Sequence, residues 1–265
     1  MNENLTEKLK KIKYFLLDMD GTVYLGDKLI GKMNETLDLI RKSGKKIIYL
    51  TNNSSKNVDE YVEKLTRLDL FRDGDEVYTS GMAAIEFLLR ERKGKTVNLL
   101  GVQTLKDDLT DSGITLTDTA PDVCLLAYDS ELTYDKLRIF TDGVFAGAEY
   151  VATHPDAVCP AEPFPVPDAG AFISMIKTAT GRLPEIIIGK PERGMGEELR
   201  SRYKAKSDEF LMVGDRLYTD VAFGLNCGFY TLLVLSGETT VSDLAAADKK
   251  PDFVLDSLNS VKEYL

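Results

Sequence analysis

The sequence contains no tryptophan and one histidine, His154. A zinc centre built on several imidazoles is therefore excluded, and any Ser-His-Asp triad would have to run through His154. Cysteine is scarce: Cys124, Cys159 and Cys227 are an odd set with no close pair. Reduced thiols and a cytoplasmic setting are expected, not a disulfide framework. Positive charge is also short, with 33 Lys and Arg against 43 Asp and Glu, a formal net charge of −10. That balance opposes a nucleic-acid interface and repels anionic membrane surfaces, so neither is expected as a partner. The longest unbroken apolar run is Val123–Tyr128, well below the ~18 residues of a membrane span. Near the N-terminus Lys8, Lys10, Lys11 and Lys13 are followed only by Tyr14–Leu17 before Asp18. A secretory signal needs ~7–15 apolar residues there.

What is present is a chain of 265 residues, longer than the ~150 residues usual for one domain. One large domain, or a core with a smaller second unit, fits that length. Apolar runs recur at Tyr14–Leu17, Ile47–Leu50, Val97–Leu100, Val123–Ala127, Glu149–Ala152, Ile186–Ile188, Phe210–Val213 and Thr231–Leu235. Because they are continuous and not alternating, they read as strands covered on both faces. Between them lie helical stretches from Asn34–Lys42 to Leu217–Asn226, with apolar residues three and four apart, as in Leu37/Ile40 and Val62/Leu65. The alternation predicts an α/β protein with mainly parallel strands. Thr153–Asp168 stands apart, holding five of the nine prolines, and can be neither helix nor central strand.

Two generic motifs fail on inspection. Gly94-Lys95-Thr96 has the tail of a P-loop, but Leu89 stands at its first glycine. Gly194-Met195-Gly196 opens a dinucleotide fingerprint, but Leu199 occupies the third glycine.

The informative stretch is Tyr14-Phe15-Leu16-Leu17-Asp18-Met19-Asp20-Gly21-Thr22. A strand runs directly into two carboxylates, and residues two apart point to the same side. Asp18 and Asp20 are thus expected together at the carboxyl edge of a parallel sheet, where open α/β folds bind ligands. Paired anions need a compensating cation or proton, and hard oxygen donors suit Mg²⁺. Three further runs end in polar groups: Thr51-Asn52-Asn53, Gly189-Lys190-Pro191, and Gly214-Asp215 with Asp220 beyond. Together they supply a hydroxyl with amides, an ammonium and a second carboxylate pair.

These four pieces resemble the motifs of the haloacid dehalogenase-like hydrolases: Asp18-Met19-Asp20-Gly21-Thr22, Thr51, Lys190 and Gly214-Asp215…Asp220. Leu50-Thr51-Asn52-Asn53-Ser54, Ala152-Thr153…Pro155-Asp156, Ile188-Gly189-Lys190-Pro191 and Ser236-Gly237 look like the NagD and para-nitrophenylphosphatase branch, subfamily IIA. The resemblance spans nearly the whole chain. It implies a Rossmann-like parallel-sheet core, residues 1–80 and 184–265, with an α/β cap inserted at 81–183. The implied activity is Mg²⁺-dependent hydrolysis of small phosphomonoesters, such as a sugar phosphate or a nucleotide. Asp18 would be the nucleophile and Asp20 the general acid/base. Lys190, Thr51, Asn52 and Asn53 would hold the phosphoryl group. The metal would take Asp18, the backbone carbonyl of Asp20, and Asp215, with Asp220 behind them. Family members commonly have Asn or Asp where this chain has His154, and an acidic residue where it has Tyr218. The cap residues His154, Asp156 and Cys159 are candidates for substrate selection. The resemblance also admits a cap-mediated homodimer. A phosphotransferase or mutase, and a non-catalytic phosphate-binding module, are the competing readings. An acid/base at Asp20 favours hydrolysis over transfer, and the complete carboxylate set argues against a module that has lost its chemistry.

Overall fold

The computed structural model describes residues 5–159 and 163–265. The chain opens with α1 (Leu5–Leu9), β1 (Tyr14–Leu17), a small hairpin of β2 (Tyr24–Leu25) and β3 (Lys28–Leu29), and α2 (Met33–Lys42). Next come β4 (Lys46–Thr51), α3 (Val58–Arg67), β5 (Glu76–Thr79), α4 (Ser80–Glu91), β6 (Val97–Leu100) and α5 (Gln103–Asp111). They are followed by β7 (Val123–Leu126), α6 (Tyr134–Phe145), β8 (Glu149–Ala152), β9 (Val158–Cys159), β10 (Val166–Pro167) and α7 (Ala169–Thr180). The last stretch holds β11 (Ile186–Ile187), α8 (Gly194–Tyr203), β12 (Phe210–Gly214), α9 (Ala222–Cys227), β13 (Tyr230–Val234), α10 (Val241–Ala246) and β14 (Phe253–Leu255).

Two compact units result: Met1–Thr51 with Val58–Tyr78 and Lys190–Leu265, and Asn52–Asn57 with Thr79–Gly189. The first carries a six-stranded sheet in the order β14-β13-β12-β1-β4-β5. β1 pairs in parallel with β12 on one side and β4 on the other. Phe15, Leu17, Ile47, Tyr49, Leu211 and Val213 pack on one face with Met33, Leu37 and Ile40 of α2. Their neighbours Leu16, Ile48 and Met212 are buried on the other face. Burial on both faces is why these strands carry unbroken apolar runs. In α2 the buried Met33, Leu37 and Ile40 fall at intervals of four and three, one side of a helix.

The second unit has a four-stranded parallel sheet, β11-β8-β7-β6. Leu100, Cys124, Leu126, Tyr150 and Ala152 form its core with Phe140 and Val144 of α6 and Phe172, Ile173 and Ile176 of α7. No helix among the described residues is long and apolar enough to cross a membrane.

Some sequence expectations are corrected. Ile186–Ile187 pairs with β8 and belongs to the second sheet, so residues 184–189 do not belong to the core as expected. A run of three apolar residues says that a strand is buried, but not in which sheet. Residues 52–57, also expected in the core, group with the second unit. The proline-rich stretch is not wholly irregular: Val166 and Pro167 pair antiparallel with Cys159 and Val158. Residues 160–162 of that stretch lie outside the described residues.

Candidate active site

β1 ends at Leu17, whose parallel neighbours are Val213 in β12 and Tyr49 in β4. Asp18, Gly214-Asp215 and Leu50-Thr51 therefore emerge at one carboxyl edge of the first sheet, where such folds build their sites. Lys190 comes to it differently from the sequence expectation, off the end of β11 in the other sheet. Its side chain is nonetheless buried and reaches Asp18 Oδ1 at 2.6 Å and Asp220 Oδ1 at 2.7 Å. The ammonium also points at the Leu50 carbonyl, 3.5 Å away. Asp220 sits in a π-helical turn, Leu217–Val221, and its Oδ2 accepts the Arg216 backbone N–H at 3.2 Å. Such wide turns recur at functional positions because they re-aim one side chain.

Asp215 is held by main chain. Its Oδ2 accepts the Glu238 N–H at 2.7 Å, and its carbonyl accepts the Thr239 N–H at 3.2 Å. Ser236 Oγ donates to the Gly21 carbonyl at 2.8 Å, closing the 236–239 segment over the end of the Asp18-Met19-Asp20-Gly21 stretch. Two glycines make room for the carboxylate. Gly21 adopts φ +83°, a left-handed conformation that favours glycine. A Cβ at Gly237 would overlap Asp215 Oδ2. Asp215 Oδ1 is buried and has no hydrogen-bond partner among the described residues. Glu238 also ties the rim, accepting Tyr218 Oη at 2.8 Å and pairing with Arg216 Nε at 2.9 Å. The sequence reading missed Glu238. The only available signal was its place after Ser236-Gly237 at a strand end.

Asp18, Asp215 and Asp220 each place an oxygen within 4.8 Å of the others. At an effective dielectric of ~20, two full charges so spaced repel by about 3–4 kcal/mol. One ammonium cannot neutralise three carboxylates, and the acids respond. Burial, with repulsion from Asp220, pushes Asp18 up to about 7 despite the Lys190 ion pair. Burial and Asp220 likewise push Asp215 up to about 6, against the Glu238 N–H and Arg216. Lys190 is raised as well, which for an ammonium means that it keeps its charge. Burial pulls its ammonium down, but Asp18 and Asp220 outweigh it and hold the charge on. An oxygen-only donor set with surplus negative charge and one orphaned buried oxygen fits a hard divalent cation.

The remaining candidates fall in different places. Asp20 is exposed, and its carboxylate is not among the three clustered oxygens. Thr51 closes β4, two residues beyond Tyr49. The side chain of Asn52 is turned to Asp156, Nδ2 to Oδ2 at 3.0 Å. Asn53 Nδ2 faces Cys159 Sγ at 3.8 Å, while its Oδ1 accepts from Ser55 N at 2.9 Å and Ser55 Oγ at 3.0 Å. His154 is fully buried in the second unit, 3.5 Å from Asp168 Oδ1 and 3.7 Å from Asp156 Oδ2.

The chain is similar to known proteins. Residues 15–115 match the family described as haloacid dehalogenase-like hydrolase, and residues 187–261 match a HAD-hydrolase-like family. An acid sugar phosphatase of Staphylococcus haemolyticus is 33% identical over 252 residues, 95% of each chain. The crystal structure of a 4-nitrophenylphosphatase from Thermotoga maritima superposes with a TM-score of 0.91 at 39% identity, over 97% of this chain and 98% of that one. A p-nitrophenyl phosphatase from Archaeoglobus fulgidus gives 0.88 at 28% identity, over 96% and 100%. With the carboxylates, the lysine and the glycine-lined Asp215 pocket at one sheet edge, and relatives matched end to end, the chain belongs to the haloacid dehalogenase-like hydrolases, in the NagD and nitrophenylphosphatase branch.

Proposed function

We propose that this protein is a cytoplasmic, Mg²⁺-dependent phosphatase that hydrolyses small phosphorylated metabolites through a phosphoryl-enzyme on Asp18. The observation that carries the reading is the Lys190 ammonium shared by Asp18 Oδ1 and Asp220 Oδ1 beside the buried Asp215 carboxylate. It supports a nucleophile, a fixed positive charge and an oxygen-lined cation site acting at one point, which phosphoryl transfer requires. Asp18, the Asp20 carbonyl and Asp215 would hold the cation, which when bound masks the repulsion between carboxylate and phosphate.

In the first half-reaction an Asp18 carboxylate oxygen bonds to phosphorus, the ester P–O bond breaks, and the leaving alcohol takes a proton from Asp20. In the second, Asp20 takes a proton from water, the water oxygen bonds to phosphorus, and the bond to Asp18 breaks, releasing inorganic phosphate. An exposed Asp20 is open to both the leaving alcohol and the incoming water. Lys190 and the Thr51 hydroxyl stabilise the equatorial oxygens of the transferring group. The sugar-phosphate name of the staphylococcal relative makes sugar phosphates the first substrates to screen. No disulfide links the three cysteines, which supports a reducing compartment.

The test is trapping with ³²P-labelled substrate. Asp18→Asn should abolish turnover and labelling together. Asp20→Asn should slow hydrolysis strongly yet leave a labelled enzyme, because the nucleophile survives. Wild-type turnover in Asp18→Asn would refute the mechanism.

A further inference from the structure

Two catalytic candidates are each one peptide bond from the second unit: Asn52 follows Thr51, and Gly189 precedes Lys190. Those two residues are locked to each other and to the start of the proline-rich segment. Asn52 is buried, donates through Nδ2 to Asp156 Oδ2 at 3.0 Å, and its carbonyl accepts Ser80 Oγ. Gly189 N–H donates to the Thr153 carbonyl at 2.7 Å. Gly189 also has no space for a side chain. A Cβ there would stand 2.6 Å from Asn52 Oδ1, 2.7 Å from the Thr153 carbonyl and 2.9 Å from His154 Cβ. The Asn52 amide is thus held between an anion on its nitrogen side and the Gly189 backbone on its oxygen side. Asp156 is itself anchored, its carbonyl accepting the Gly170 N–H at the start of α7 at 2.8 Å.

We infer that Asp156 is a positioning residue for catalysis: by holding the Asn52 amide against Gly189 it fixes the backbone on either side of the reaction, at Thr51 and at Lys190. This rests on the phosphatase reading and changes one part of it. The sequence places Asp156 among residues that choose the substrate. The packing instead makes it part of what aims the lysine, whichever alcohol is leaving. A charge-assisted hydrogen bond to a buried amide is strong enough to matter. Small displacements of a catalytic group cost large factors in rate.

The experiment is a double-mutant cycle on the full chain with p-nitrophenyl phosphate and Mg²⁺, reading kcat, KM and the single-turnover rate of p-nitrophenolate release. Asp156→Ala should lower kcat and the single-turnover rate by roughly ten- to a hundredfold, with KM changed less than about threefold. Asp156→Asn keeps an acceptor oxygen and should recover most of the loss. Asn52→Ala combined with Asp156→Ala should be no worse than the weaker single variant, because both break the same contact. If either alanine variant fails to fold, Asn52→Ser and Asp156→Ser supply the same cycle. Two outcomes overturn the inference: losses that multiply in the double variant, or an Asp156→Ala enzyme with unchanged kcat and altered substrate ranking. Phosphate labelling of wild type at Asp18, run alongside, separates the two ideas. Its absence would overturn the phosphatase reading, whereas labelled wild type with multiplying losses removes only the positioning role.

Discussion

His154 is an expensive residue to bury. Among the described residues neither ring nitrogen has a hydrogen-bond partner, although carboxylates stand 3.5 and 3.7 Å away. Burial pulls the imidazole down to about 4, with Asp168 opposing. The folded chain therefore binds fewer protons than the unfolded chain between pH 4 and the ordinary histidine value of 6.5. Its stability contribution is complete above pH 6.5 and is lost as pH falls towards 4, at most about 3 kcal/mol for a shift of this size. Burial raises Asp168, so the folded state takes up a proton there earlier and returns part of that loss. His154→Asn should therefore lose less stability than wild type between pH 7.5 and 5, read as urea midpoints; parallel losses would contradict the assignment. The sequence marked His154 as a candidate to meet substrate. That it is fully buried was not legible, because burial of a lone loop residue is decided by packing from distant segments.

The 236–239 segment after β13 does for Asp215 what a single side chain could not, binding one carboxylate oxygen and the carbonyl through successive N–H groups. A methyl group at Gly237 has nowhere to go except into that carboxylate. Gly237→Ala should therefore lower turnover by roughly a hundredfold or more, and should weaken the Mg²⁺-induced rise in Tm while the protein remains folded. A full Mg²⁺ shift in Tm would show that the segment yields. Element by element, the sequence was most readable where strands are buried on both faces, as in Tyr14–Leu17 and Phe210–Gly214. Glu76–Thr79 escaped because its four residues mix Glu and Thr with apolar positions, and Phe253–Leu255 because three residues carry too little pattern. Asp18 and Asp215 were legible because each follows such a run directly, and Asp220 because it stands five residues beyond Asp215. The backbone donors around them were not, since an N–H is the same in every residue except proline.

At the scale of the molecule, charge is the governing quantity. A chain with net charge −10 gathers three carboxylates within 4.8 Å around one lysine. A divalent cation should therefore stabilise it as well as activate it. Excess chelator should abolish turnover and lower Tm, and Mg²⁺ should restore both. Ca²⁺, larger and looser in coordination, should restore Tm better than turnover. Full activity in chelator would exclude a metal-dependent mechanism. The position of β1 in its sheet has a different consequence, for synthesis on the ribosome. Tyr14 lies beside both Lys46 and Phe210, so one edge of the strand finds its neighbour early and the other only after most of the chain has been made. The four strands β6, β7, β8 and β11 all precede residue 190. The inserted unit can thus close its sheet while β1 still presents a bare, apolar edge, the kind of surface on which nascent chains aggregate. Emergence of β12 is then the step that covers this edge and, with Asp215 and Asp220 following at once, brings the last carboxylates of the site, ahead of the 236–239 segment that holds Asp215.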